Sequence, residues 1–175
     1  IRGGSYLDPK GKEGLAGLTG SLMARGGIPS SPADELDEEL EFLAARLSSS
    51  FGGLSGSVDL NLLSKDADRG FEILRAVLAA PSFQQDKLAL RKTQALQGLK
   101  QRNDDSKNIE SRERNFLAYG ERFWFNRHTT AASLKSIRRE DLLAFHHEWV
   151  HPQNFIVSVS GDFDRDEMLK RLDGV

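Results

Sequence analysis

The chain has 175 residues, 38% hydrophobic and 29% charged, enough for one ordinary domain with its own core. A formal net charge of −2 without a basic block argues against a nucleic-acid surface. The absence of cysteine excludes disulfides and thiolate metal sites, and no apolar run approaches the length of a membrane span.

In chain order, the first few residues read as the end of a strand, and Asp8-Pro9-Lys10-Gly11 as a turn. Leu15, Leu18 and Leu22 recur at helical spacing between Gly14 and Ala24. Gly14, Gly17 and Gly20 lie in that stretch, and an interior glycine costs a helix roughly 1 kcal/mol relative to Ala. Such a helix needs tertiary support or a reason to keep its surface bare. Ser31-Pro32-Ala33-Asp34 predicts a second helix start, with Ser31 as the cap, and Leu36, Leu40, Leu43 and Leu47 on one face.

Residues 48–56 are small and glycine-rich and read as a flexible segment before a strand, Val58 to Leu62. A helix over 66–79 turns Phe71, Leu74, Val77 and Leu78 inward, and Pro81-Ser82-Phe83 breaks it. Further helices are predicted over 84–102, 108–123, 131–136, 139–149 and 165–172, with a strand at Phe155 to Val159. Helices dominate, three or four strands are scattered among them, and there is no internal repeat. One layered α/β domain spanning 1–175 accounts for this.

Several segments taken together resemble the pitrilysin/insulinase/processing-peptidase family. Gly4-Ser5 with Gly14-Leu15-Ala16 resembles the entry into the family's metal-binding helix. Residues 63–70 resemble the turn after its central strand, and Pro81-Ser82-Phe83 the break before its long helix. Arg139-Glu140-Asp141-Leu142, Pro152-Gln153-Asn154 and Val159-Ser160-Gly161-Asp162 resemble its last helix and strand. The resemblance implies an α+β layered fold, with a mixed, largely antiparallel sheet and helices on one side. It also implies the first half-domain of a longer clamshell subunit, and the abrupt opening at Ile1 reads like an excised piece lacking the family's opening strand.

The family's chemistry uses an inverted motif, His-x-x-Glu-His, in which two His bind zinc and the Glu activates water, with a third ligand Glu on the long helix. Here the motif slot reads Gly17-Leu18-Thr19-Gly20-Ser21, and the third-ligand position falls on Gly98. Zinc requires imidazole or carboxylate donors, so no cofactor is expected at this place, although active members carry zinc. Gly17, Gly20 and Ser21 are either a vestigial cavity or a close-packing surface.

A different zinc signature occurs at His147-Glu148-Trp149-Val150-His151, which is H-E-x-x-H. The Leu142, Phe145 and Trp149 stripe predicts a buried face that puts His147 and His151 toward solvent and His146 nearer the core. Pro152 further predicts that His151 frays at the helix end. An active metallopeptidase using His147, Glu148 and His151 is the alternative to an inactive homologue, and a purely structural scaffold is a third.

Within the family, subunits lacking the motif often complete a peptide chamber with a partner that carries it. The resemblance thus implies peptide or unfolded polypeptide as ligand, and a motif-bearing peptidase subunit or second half-domain as partner. Substrate binds there as an added strand at a sheet edge. Ser50, Phe51, Gly52 and Gly53 are the candidate contacts, with an ordinary hairpin edge as the plain alternative. His128 is read as a surface loop residue, and Trp124 between Phe123 and Phe125 as core or interface.

Overall fold

A computed structural model describes residues 1–174. The fold is α+β: eight α-helices, four short 3-10 turns and one antiparallel strand pair among the described residues. The helices are α1 (Leu15–Met23), α2 (Ala33–Phe42), α3 (Ala67–Ala79), α4 (Gln85–Lys100), α5 (Ser106–Tyr119), α6 (Ala131–Ser136), α7 (Arg139–Trp149) and α8 (Arg165–Leu172). The strands are β1 (Arg46–Phe51) and β2 (Gly56–Asn61).

α1 is the centre of the packing and touches β1, α4 and α7. Leu15, Ala16, Leu18, Leu22 and Met23 are all buried, so tertiary contacts offset its glycine content. Its first turn is satisfied from a distance. Asp8 accepts from the Gly14 and Ala16 amides at 2.7 and 2.8 Å, and Gly14 sits at φ 104, where a side chain would be strained.

α2 begins where expected, with Leu36 and Leu40 buried, but Ser31 does not cap it. The helix opens on Pro32, which offers no side-chain cap, and the Ala33 amide donates instead to Gln84 Oε1 at 2.8 Å. It stops at Phe42. Ala44 then takes φ 49, and Leu47, placed on this helix by its spacing, belongs to β1 instead.

β1 is the larger correction. Residues 46–51 form a strand, not a flexible segment, in register from Arg46 opposite Asn61 to Phe51 opposite Gly56. Leu47 and Phe51 are its buried positions, separated by serines that expose or half-expose their side chains. Phe51 meets Phe145 of α7 edge to face, with ring centroids 5.5 Å apart. On α3 the buried residues are Gly70, Ile73 and Val77, while Phe71, Leu74 and Leu78 are half-buried.

The strand predicted at Phe155 to Val159 does not form. Ile156 is 81% exposed, and the segment joins no sheet. Its physical reason is the missing neighbour. Between β2 and residues 155–163 lies an open cleft of about 720 Å³, floored by Leu74 of α3 and Met168 of α8. Without a hydrogen-bonding partner, a β-prone sequence gains nothing from extending. At the mouth of the cleft, the Ile1 amine donates to the Gly56 carbonyl and the Gly56 amide donates to the Ile1 carbonyl, both at 2.9 Å. The expected larger mixed sheet is therefore a two-stranded ribbon with an isolated bridge from Arg2 to Ser55. No helix is long and apolar enough to cross a membrane among the described residues.

Candidate functional site

The slot on α1 is built from the bottom up by its contact with β1. Ser49 Oγ donates to the Gly20 carbonyl at 2.5 Å and accepts from the Ala24 amide at 2.9 Å. This pulls α1 so close to the strand that a Cβ on Gly20 would lie 2.3 Å from the Phe51 nitrogen and 2.6 Å from the Ser50 carbonyl carbon. Gly20, at the position of the family's catalytic Glu, is thus a close-packing residue. Gly17 and Gly98 are different. A Cβ at either meets nothing within 4 Å, and both are exposed. Ser21 is half-buried and donates its hydroxyl to the Leu18 carbonyl at 3.0 Å.

These residues do not fit a zinc ion. Two offer no side chain, one has no room for a carboxylate, and the hydroxyl is already committed to the helix backbone. The four positions therefore do not form one empty cradle. Gly20 fits the close-packing reading, and Gly17 and Gly98 are simply bare.

The second motif fares no better geometrically. α7 ends at Trp149, and Val150 leaves helical geometry at φ −99 and ψ 85. His147 and Glu148 are exposed on the helix, whereas His151 lies beyond it, so the i, i+4 pairing that H-E-x-x-H requires is not made. No three His, Asp or Glu side chains converge as a ligand set among the described residues. His146 is the buried histidine of the run. Its Nε2–H donates to the Leu78 carbonyl at 2.9 Å, and its ring meets Phe83 edge on. Burial holds this imidazole below its ordinary pKa, and the neighbouring His147 pushes the same way.

At the candidate peptide contacts, Phe51 turns its side chain into the core. The carbonyls of Gly52 and Gly53 accept from the amides of Ser5 and Tyr6, at 2.9 and 3.1 Å. Gly4 allows that approach, since a Cβ there would lie 2.5 Å from the Gly53 oxygen. Ser50 lies on β1, whose only hydrogen-bonded strand neighbour among the described residues is β2, leaving its other edge unpaired. Sequence reasoning missed Arg46 and Leu47 of this edge and read Ser48 and Ser49 as a flexible segment, because polar serines hid the strand.

Beside β1, a groove of about 360 Å³ is walled by α1 and α4, with Ser48 and Ser49 on the strand side. Arg25, Lys87 and Arg91 line it. Elsewhere, His128 is largely exposed in its loop, and partial desolvation of its ring, with Arg102 and Arg112 nearby, lowers its pKa. Trp124 is half-buried in an aromatic group with Tyr6, Phe123 and Phe125, and stands over Gly53.

A helical layer around a bare motif helix, with a strand edge beside it, places the chain in the α+β class that the pitrilysin-type resemblance implies. Comparison with known proteins gives this class its family likeness: residues 136–174 match the family described as the peptidase M16 inactive domain. The fold is similar to the first half of the periplasmic protease PqqL from Escherichia coli (TM-score 0.82, 17% identity), covering 99% of this chain and 38% of that one. It is similar to a peptidase M16 inactive domain from Pseudomonas fluorescens (TM-score 0.72, 24% identity), covering 82% of this chain and 35% of that one. A mutant of the ferredoxin protease FusC, solved with Arabidopsis ferredoxin, also resembles it (TM-score 0.68, 17% identity), with 84% of this chain and 16% of that one covered. No curated protein matches the sequence. The chain spans well under half the length of these solved chains. The pitrilysin-type resemblance and the α+β fold are borne out.

Proposed function

We propose that this chain is the non-catalytic half of a zinc-peptidase-like assembly. It holds peptide or unfolded polypeptide along the free edge of β1. It completes a chamber with a subunit, or a second half-domain, that carries the intact His-x-x-Glu-His motif. One observation carries this reading: the slot on α1 offers no imidazole or carboxylate donor, and the β1 edge beside it has no second strand partner among the described residues. Strand addition works through main-chain hydrogen bonds and needs no metal. The likeness to a domain described as inactive supports the first half of the reading. The solved complex of FusC with ferredoxin supports a polypeptide ligand.

The test uses a quenched fluorescent peptide with the purified chain, with and without added zinc. Binding without cleavage is expected, together with co-elution with a motif-bearing subunit on gel filtration. Cleavage by this chain alone, abolished by Glu148→Gln, would overturn the proposal. So would failure to bind either peptide or subunit.

A further inference from the structure

The groove beside β1 has a charge character that the strand edge alone does not dictate. Three cations, Arg25, Lys87 and Arg91, line it, and none of its lining residues is a carboxylate. Arg25 pairs with Asp37 at 3.1 Å and Lys87 pairs with Asp34, but both acids sit on α2, outside the lining. Arg91 donates to the Gln94 side-chain oxygen at 3.0 Å and makes no ion pair among the described residues. Its full charge is available to a ligand.

The spacing fits an extended chain. Lys87 and Arg91 are four residues apart on α4, so they lie ~6 Å apart along the helix axis. Side chains on one face of a strand repeat every ~6.7 Å. A peptide that runs along α4 past Ser48 and Ser49 would present alternate side chains to Lys87 and Arg91.

We infer that this groove selects extended peptides carrying Asp or Glu at alternate positions. The inference rests on the proposed peptide-holding role of the β1 edge and adds the substrate class. The groove charges are partly solvated, so they set preference, and the main-chain bonds set most of the affinity.

Fluorescein-labelled dodecapeptides separate the two claims. Their odd positions carry Ser, Thr and Val, and their even positions carry Glu, Gln or Lys. Fluorescence anisotropy with the intact chain is expected to show the Glu peptide binding about fivefold tighter than the Gln peptide, with the Lys peptide weakest. Added salt should shrink that preference. Arg91→Gln, which breaks no ion pair in the fold, should shrink the ratio of Glu-peptide to Gln-peptide affinity; a thermal melt checks that the variant is folded. Equal binding of all three peptides would overturn the charge selectivity and leave the peptide-holding role standing. No binding of any peptide would remove both.

Discussion

The imidazole of His146 on α7 closes the end of α3 by donating its Nε2–H to the Leu78 carbonyl at 2.9 Å. A helix leaves its last carbonyls without intrahelical partners, and this one, on half-buried Leu78, takes its partner from α7, where the His146 ring also meets buried Phe83. Replacing His146 with Leu keeps the volume but orphans the carbonyl, at about 1–3 kcal/mol. The pH dependence follows from the direction of the shift. The folded imidazole has a lower pKa than the ordinary 6.5, so the unfolded chain binds the proton more readily. Stability from this group is full above 6.5 and is lost as pH falls through that value toward the folded one. Urea unfolding at several pH values should show a shallower acid decline in His146→Leu than in the native chain. Parallel declines would refute it.

Gly17 and Gly20 lie on the same helix but should answer oppositely to alanine. At Gly20 the new Cβ would strike the β1 backbone, which cannot rotate away, and overpacking of this kind costs about 1–3 kcal/mol. At Gly17 the space is open and the helix exposed, so alanine should stabilise by up to about 1 kcal/mol. Paired thermal melts decide it. The same contact predicts that rebuilding the inverted motif with Gly17→His, Gly20→Glu and Ser21→His will fail to fold natively, since the carboxylate has no room.

Asp8 is the distant cap of α1, and Asp8→Ala should cost about 1–3 kcal/mol by releasing the buried Ala16 amide and the half-buried Gly14 amide. Burial raises its pKa above 3.8, against the opposing pull of the Ala16 and Gly14 amides. The folded chain therefore binds this proton more tightly than the unfolded chain does. The stability difference between native and variant should narrow as pH rises through the window just above 3.8. Chemical unfolding from pH 3.5 upward measures it, and a widening difference would contradict the burial argument.

His147→Ala should leave stability within about 0.5 kcal/mol, because the side chain is exposed and unbonded. After dialysis against zinc, elemental analysis should find far less than one equivalent in the native chain and no change in the variant. One firmly held equivalent, lost on substitution, would mean that α7 carries a real metal site.

Legibility in the sequence followed the range of the interactions. α7 was readable because Leu142, Phe145 and Trp149 repeat within eleven residues, and its end because Pro152 restricts the residue before it. β1 was not, because its two buried residues are separated by Ser48, Ser49 and Ser50, and serine carries a turn signal unless a neighbouring strand is present. Phe155 to Val159 failed in the opposite way, with strong β propensity and no partner. At the candidate site, the loss of metal donors could be read directly from Gly17, Gly20, Ser21 and Gly98. The packing role of Gly20 could not, since it depends on a strand 26 to 31 positions further along the chain. The cations of the groove were likewise invisible until α4 was placed beside α1.

The cleft between β2 and residues 155–163 has a consequence for how this polypeptide behaves in a tube. A strand edge with unused donors and acceptors is a template for any other chain that can extend along it. Here one such edge faces a gap with an apolar floor. Amides of β2 directed into the gap should exchange with deuterium well before those directed at β1.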